Sequence, residues 1–181
     1  LDASGAPRLL RPEHFARVDG RTVDFDRDYY QPFISRFIET IRSVAPGAIA
    51  FVEPEVDRWP PAWSAGHAAN AVFAPHWYDA YVLLKKEFSP FLAVDPCTRR
   101  VVFGPRAIRR SFRAQLAALK HAARSDAGQV PVLLGEFGIP LDLECKKAYR
   151  TGDFRAQVKA LDRSFRAVED NLLHCTLWNY T

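Results

Sequence analysis

Four short, continuously apolar runs, each stopping abruptly at a polar or aromatic side chain, constrain this chain more than any other feature. They cover residues 48–52, 71–74, 130–134 and 175–178. A strand that is apolar at every position has no solvent face, and such strands belong in parallel sheets covered on both sides. Amphipathic helix patterns fall around them. One spans 29–44, with Phe33, Ile34, Phe37, Ile38 and Ile41 on one face, and is ended by Pro46-Gly47. A second spans 105–124, with Ile108, Phe112, Leu116 and Leu119 inward. A third spans 153–173, with Phe154, Val158, Leu161, Phe165 and Val168. A shorter helix is expected near 79–87, started by Asp79 as its N-cap. Residues 1–28 and 54–70 read as long loops, and 88–104 as a loop carrying Pro90, Pro96 and Gly104.

Alternating strands and helices build either a doubly wound sheet or a (β/α)₈ barrel. The barrel is favoured by where the chemistry falls. Glu53 and Glu55 follow the first strand, His76 and Tyr78 the second, Glu136 the third, and Trp178 ends the fourth. Barrel enzymes collect their reactive groups at the C-terminal ends of several strands. The loops after the strands are long and aromatic, and those before them are short. A whole barrel needs about 200–250 residues or more, and this chain has 181 with four strands. The expected fold is therefore a (β/α)₈ TIM barrel of which residues 1–181 hold about strands five to eight, the C-terminal half.

Composition narrows the function classes. Apolar residues make up 48% and charged residues 25%, within the usual range of globular domains. The net charge is +4. Arg106, Arg109, Arg110 and Arg113 fall at helical spacing and read as a solvated helix face, without the interleaved aromatics of a single-strand binder, so no nucleic-acid partner is expected. Cys97, Cys145 and Cys175 stand far apart with no CxxC pair, which disfavours a disulfide framework or a zinc site. They lean toward a cytoplasmic or membrane-peripheral placement, and secretion stays open. No apolar run approaches the ~18 residues of a membrane helix. There is no phosphate loop, HExxH or GxSxG, and neither a metal nor another cofactor is expected.

Each strand-end residue has a plain reading beside a functional one. Glu136, in Gly135-Glu136-Phe137-Gly138, would project into a barrel mouth as a catalytic carboxylate, or pair with an arginine. His76 and Tyr78 stand two apart and share a face of an extended strand. They could hydrogen-bond that carboxylate or a sugar hydroxyl, or be a core histidine and an interface tyrosine. Trp178 could be a platform under a pyranose ring or a core tryptophan. Glu53 could be a sugar ligand, a salt-bridge partner or a second catalytic carboxylate. Trp59, Trp63, Phe88 and Phe91 could contact a lipid or cap a barrel.

Taken together, the four strand ends resemble glycoside hydrolase family 5, whose pattern is His-x-Tyr, a catalytic Glu and a Trp on strands six, seven and eight. The likeness is closer to its branch of endoglycoceramidases, glucosylceramidases and sterylglucosidases. It is carried by Phe51-Val52-Glu53-Pro54, Pro75-His76-Trp77-Tyr78-Asp79, Gly135-Glu136-Phe137-Gly138-Ile139-Pro140, Ala148-Tyr149-Arg150-Thr151-Gly152-Asp153 and Leu177-Trp178-Asn179-Tyr180-Thr181. The resemblance implies a retaining hydrolase of a β-glucoside, such as a glycolipid, with possible peripheral membrane contact. It makes Glu136 the nucleophile, His76 and Tyr78 its active-site neighbours and Trp178 the sugar platform; Glu53 joins them as a substrate-binding candidate by its strand-end position alone. The family's acid/base follows an Asn on strand four, and this chain has no Asn-Glu pair. That residue is expected on an N-terminal half of the barrel outside the chain, leaving the chain inactive alone. Two rival readings remain: a non-catalytic carbohydrate-binding or interaction fragment, and a β-glycanase of the same family.

Overall fold

The structure, a computed structural model, describes residues 4–54, 69–125 and 129–179. A small hairpin of β1 (Arg17–Val18) and β2 (Arg21–Thr22) turns at Asp19-Gly20, both at positive φ. A two-residue hairpin turn requires that geometry. A π-helical turn, Asp26–Tyr30, runs into α1 (Gln31–Val44). Then come β3 (Ala50–Val52), β4 (Ala71–Phe73), α2 (Ala80–Lys85), β5 (Leu92–Asp95), β6 (Arg100–Phe103) and α3 (Pro105–Ser125). They are followed by β7 (Leu133–Gly138), α4 (Leu143–Thr151), α5 (Arg155–Asp170) and β8 (His174–Trp178).

Four of these strands make one parallel wall in chain order. β3 pairs with β4, Phe51 opposite Val72. The chain beyond β4 stays extended and joins β7 through the bridges Phe73–Val132 and His76–Glu136. Three backbone bonds hold that seam: Phe73 N–H to Pro131 O (2.9 Å), Trp77 N–H to Glu136 O (3.0 Å) and Gly135 N–H to Pro75 O (2.9 Å). β7 pairs with β8, Leu133 opposite His174 and Gly138 opposite Trp178, with an irregularity between Leu134 and Phe137. A doubly wound sheet reverses its strand order at a switch point. This wall does not reverse, as a barrel wall does not.

The core lies between the wall and the helices α3 and α5. Trp77, Leu134 and Phe137 from the strands meet Ile108, Phe112, Leu116, Ala167 and Val168. Trp77 stands edge-on to Phe112, and Phe137 edge-on to Phe165. Since strand side chains alternate between faces, burying Trp77 and Phe137 under the helices turns His76, Tyr78 and Glu136 to the opposite face.

Several sequence expectations are corrected. Residues 88–104 are not a loop, because β5 and β6 form an antiparallel hairpin there. The 1–28 segment holds the β1–β2 hairpin. The third strand starts later and runs through Glu136 to Gly138 rather than stopping before it. The last helix is a single element, α5, and the stretch before it, read as a loop, holds the further helix α4, which ends at Gly152. Of the face expected on α5, Val168 is buried and Leu161 and Phe165 pack against the core. Phe154 and Val158 are exposed, and Gln157, Ala160, Ser164, Ala167 and Val168 face inward. In α1 only Ile34 and Ile38 are buried, against Val52; Phe33, Phe37 and Ile41 are exposed.

Candidate active site

Glu136 is positioned by two glycines. A Cβ on Gly135 would sit 2.7 Å from the carbonyl oxygen of Ala74, and one on Gly138 would collide with the carbonyl oxygen of Trp178. The backbones of β4 and β8 thus close on β7 from both sides, and only glycine admits that approach. What comes close at both glycines is backbone.

On the face away from the helices, the Tyr78 hydroxyl donates a hydrogen bond to Glu136 Oε1. His76 Nδ1 lies 3.6 Å from the same oxygen and 3.0 Å from Glu53 Oε1. The Nδ1 edge of the imidazole thus faces both carboxylates. Burial, followed by the Glu136 carboxylate it faces, pushes the Tyr78 hydroxyl above its ordinary pKa. Tyr78 therefore stays a donor throughout the neutral range. Glu53 directly follows β3, and Tyr30 donates to its carbonyl oxygen. Its carboxylate is half-exposed, and His76 and Glu136 are about a quarter exposed.

Of the six strand-end residues singled out in the sequence, this cluster brings together four, Glu53, His76, Tyr78 and Glu136, while Glu55 lies outside the described residues. Trp178 stands opposite Gly138 at the end of β8, 59% exposed, so it is not a core tryptophan in this chain. Phe88 lies under the Arg163 guanidinium at 4.7 Å, a packing role, and Phe91 is exposed. Trp59 and Trp63 lie outside the described residues.

Sequence reasoning missed the groups that hold this cluster from behind. Trp77 Nε1–H donates to Gln115 Oε1 (2.8 Å), and Gln115 Nε2 donates to Ser111 Oγ (3.0 Å). Asp79 does cap α2, accepting from Val82 N–H at 3.3 Å, but it also accepts from Arg163 on α5. Arg163 further donates to the Ser89 carbonyl at 2.8 Å. The pair is buried, Asp79 almost completely. A signal was present: Arg163 sits three residues after Ala160 on the small-residue face of α5, where a cation needs a buried partner.

The wall, its helical backing and the strand-end carboxylate define part of a (β/α)₈-barrel glycosidase fold. A solved endoglucanase aligns with 84% of this chain at a TM-score of 0.50 and 16% identity, which speaks to fold alone. The crystal structure of Cryptococcus neoformans sterylglucosidase 1 aligns far better, with a TM-score of 0.87 and 31% identity over 96% of this chain and 27% of that one. The chain is a homologue of glucosylceramidases and steryl-β-glucosidases. It is 32% identical to a glucosylceramidase of Rhizopus delemar over 191 aligned residues, covering 99% of this chain and 28% of that protein. It is 32% identical to the ergosteryl-β-glucosidase of Saccharomyces cerevisiae, covering 96% of this chain and 24% of that protein. It thus spans about a quarter of the length of the curated relatives it matches. No protein-family model matches it.

Proposed function

We propose that residues 1–181 are the C-terminal half of the catalytic barrel of a retaining, family-5-type glycoside hydrolase that cleaves the β-glucosidic bond of a glycolipid, glucosylceramide or a steryl glucoside. The observation that supports this is the Glu136 carboxylate, held at a strand end by the Tyr78 hydroxyl with His76 beside it. Glu136 attacks the anomeric carbon and the leaving oxygen takes a proton from an acid/base carboxyl on the part of the barrel outside this chain. Retaining pairs stand about 5–5.5 Å apart, and the same acid/base then activates the water that releases the sugar. Tyr78 fixes the attacking carboxylate, Trp178 supplies the face under the pyranose ring, and His76 and Glu53 meet sugar hydroxyls. The relatives' names, glucosylceramidase and ergosteryl-β-glucosidase, support the substrate class.

The test is a mechanism-based 2-deoxy-2-fluoroglucoside applied to the full-length protein carrying this chain. A covalent adduct on the peptide containing Glu136, absent from Glu136→Gln, is expected. An adduct elsewhere, or inversion of configuration in the product, overturns the reading.

One observation favours a second role for Glu53. Its Oε1 and that of Glu136 share His76 Nδ1, so the two oxygens are no farther apart than the sum of 3.0 and 3.6 Å. That range includes the spacing of paired catalytic carboxyls. If Glu53 is the proton donor, Glu53→Gln spares substrates with acidic phenol leaving groups and abolishes turnover of alkyl glucosides. If Glu53 holds His76, both substrate types lose rate equally.

A further inference from the structure

The β5–β6 hairpin carries its polarity inverted. Leu92 pairs with Phe103 and Val94 with Val101, which puts these four on one face; Ala93, Val102, Asp95 and Arg100 are on the other. The second face is the inner one except at the tip of the hairpin, where Arg100 is exposed beside Arg99. Ala93 is fully buried, Val102 packs on the core, and Asp95 turns its carboxylate to the Cys97 and Thr98 amides and toward Ser111. The outer face is apolar throughout. Phe103 is 75% exposed and Val101 66%, and Phe91, also exposed, stacks on Phe103 with ring centroids 6.5 Å apart. A hairpin backed by helices on one side ordinarily shows polar residues on the other.

The surroundings are basic. Residues 96–125 contain no Asp or Glu. Arg99 and Arg100 are exposed on the hairpin, and Arg106 and Arg110 are exposed on the first turns of α3 that follow it. The hairpin also lies at a particular end of the fold. It belongs to the connection that leaves the C-terminal end of β4, the end carrying His76 and Tyr78, and leads into the start of α3.

We infer that this outer face docks on an anionic lipid bilayer, with Val101, Phe103 and Phe91 entering the headgroup layer and the arginines meeting its negative charge. The inference rests on the glycolipid reading and deepens it, because the docking surface lies at the rim of the face that holds Glu136. Exposed apolar residues ringed by Lys or Arg are how a peripheral protein lies on a membrane. Each Arg near an anionic surface strengthens partitioning by about fivefold. Among the described residues no helix is long and apolar enough to cross a membrane.

The test uses the full-length protein and flotation with phosphatidylcholine vesicles, with and without phosphatidylserine. Wild type is expected to float with the anionic vesicles and to release as salt rises. Val101→Ser/Phe103→Ser and Arg99→Gln/Arg100→Gln should each weaken binding by about tenfold or more, with hydrolysis of a water-soluble aryl β-glucoside unchanged. Equal binding by wild type and variants overturns the inference, and so does a wild type that ignores anionic vesicles. A variant that, without lipid, lowers the melting temperature or changes the oligomeric state also overturns it, because the face is then covered by protein. Failure of wild type to hydrolyse the soluble glucoside strikes the glycosidase reading instead and leaves the flotation result to stand by itself.

Discussion

The Tyr78 hydroxyl donates to the Glu136 carboxylate across the seam where the chain beyond β4 lies against β7. Burial and that carboxylate together keep the hydroxyl protonated, so the donor is permanent at neutral pH. A hydrogen bond to a charged group is worth about 1.5–3 kcal/mol. Under the proposed reaction, Tyr78→Phe in the full-length protein lowers kcat/KM for an aryl β-glucoside by about 10- to 100-fold. Steady-state kinetics checks this. An unchanged rate would mean that Tyr78 packs the seam and does not serve the carboxylate.

The same hydroxyl predicts an alkaline effect. Below the ordinary tyrosine pKa of about 10, folded and unfolded chains both hold the proton. Above it the unfolded chain releases the proton first, because the folded value is raised. Stability therefore falls as pH rises beyond about 10. Thermal melts from about pH 9 to 11 should show that fall, and Tyr78→Phe should lessen it.

Asp79 and Arg163 form a buried pair joining the end of the site segment to α5. Arg163→Met leaves a carboxylate buried without its cation, a change that costs about 3–5 kcal/mol. Urea unfolding measures it. Asp79→Asn in the Arg163→Met background should recover part of the loss, since the uncompensated charge is then gone. No recovery would place the cost in lost packing of Arg163 on Phe88 and Phe112.

Gly135→Ala drives a methyl group against the Ala74 carbonyl, where neither backbone can yield cheaply. The expected loss is about 1–3 kcal/mol, together with reduced turnover from displacement of Glu136. Gly47→Ala is the control, because nothing lies within 4 Å of a Cβ there. It should stay within about 0.5 kcal/mol of wild type.

The wall was legible in the sequence because its strands are apolar on both faces. The clustering of His76, Tyr78 and Glu136 was legible because period-two spacing and strand ends fix direction. The β5–β6 hairpin was not. Its outward side chains are as apolar as its inward ones, so Leu92–Asp95 and Arg100–Phe103 lack the alternation that marks a half-buried strand. The face of α5 was legible in part: Leu161, Phe165 and Val168 pack on the core as expected, but Phe154 and Val158 are exposed. The rest of the buried face is made of Ala160, Ser164 and Ala167, small enough to let the helix approach the wall and too small to mark a face in the sequence. The contact of His76 with Glu53 depends on which strands are neighbours, and no local pattern in the chain encodes that.

The order of the wall also bears on how the chain is made. β3, β4, β7 and β8 each lie against the wall strand synthesised before or after them, the β5–β6 hairpin being set aside between β4 and β7. Every seam therefore needs only residues already outside the ribosome once its second strand emerges. The wall can grow in the direction of translation, domain segments folding as they appear. In that sequence β7 brings Glu136 to a His76 and a Tyr78 already set in place, so the cluster is assembled on the nascent chain before β8 is added.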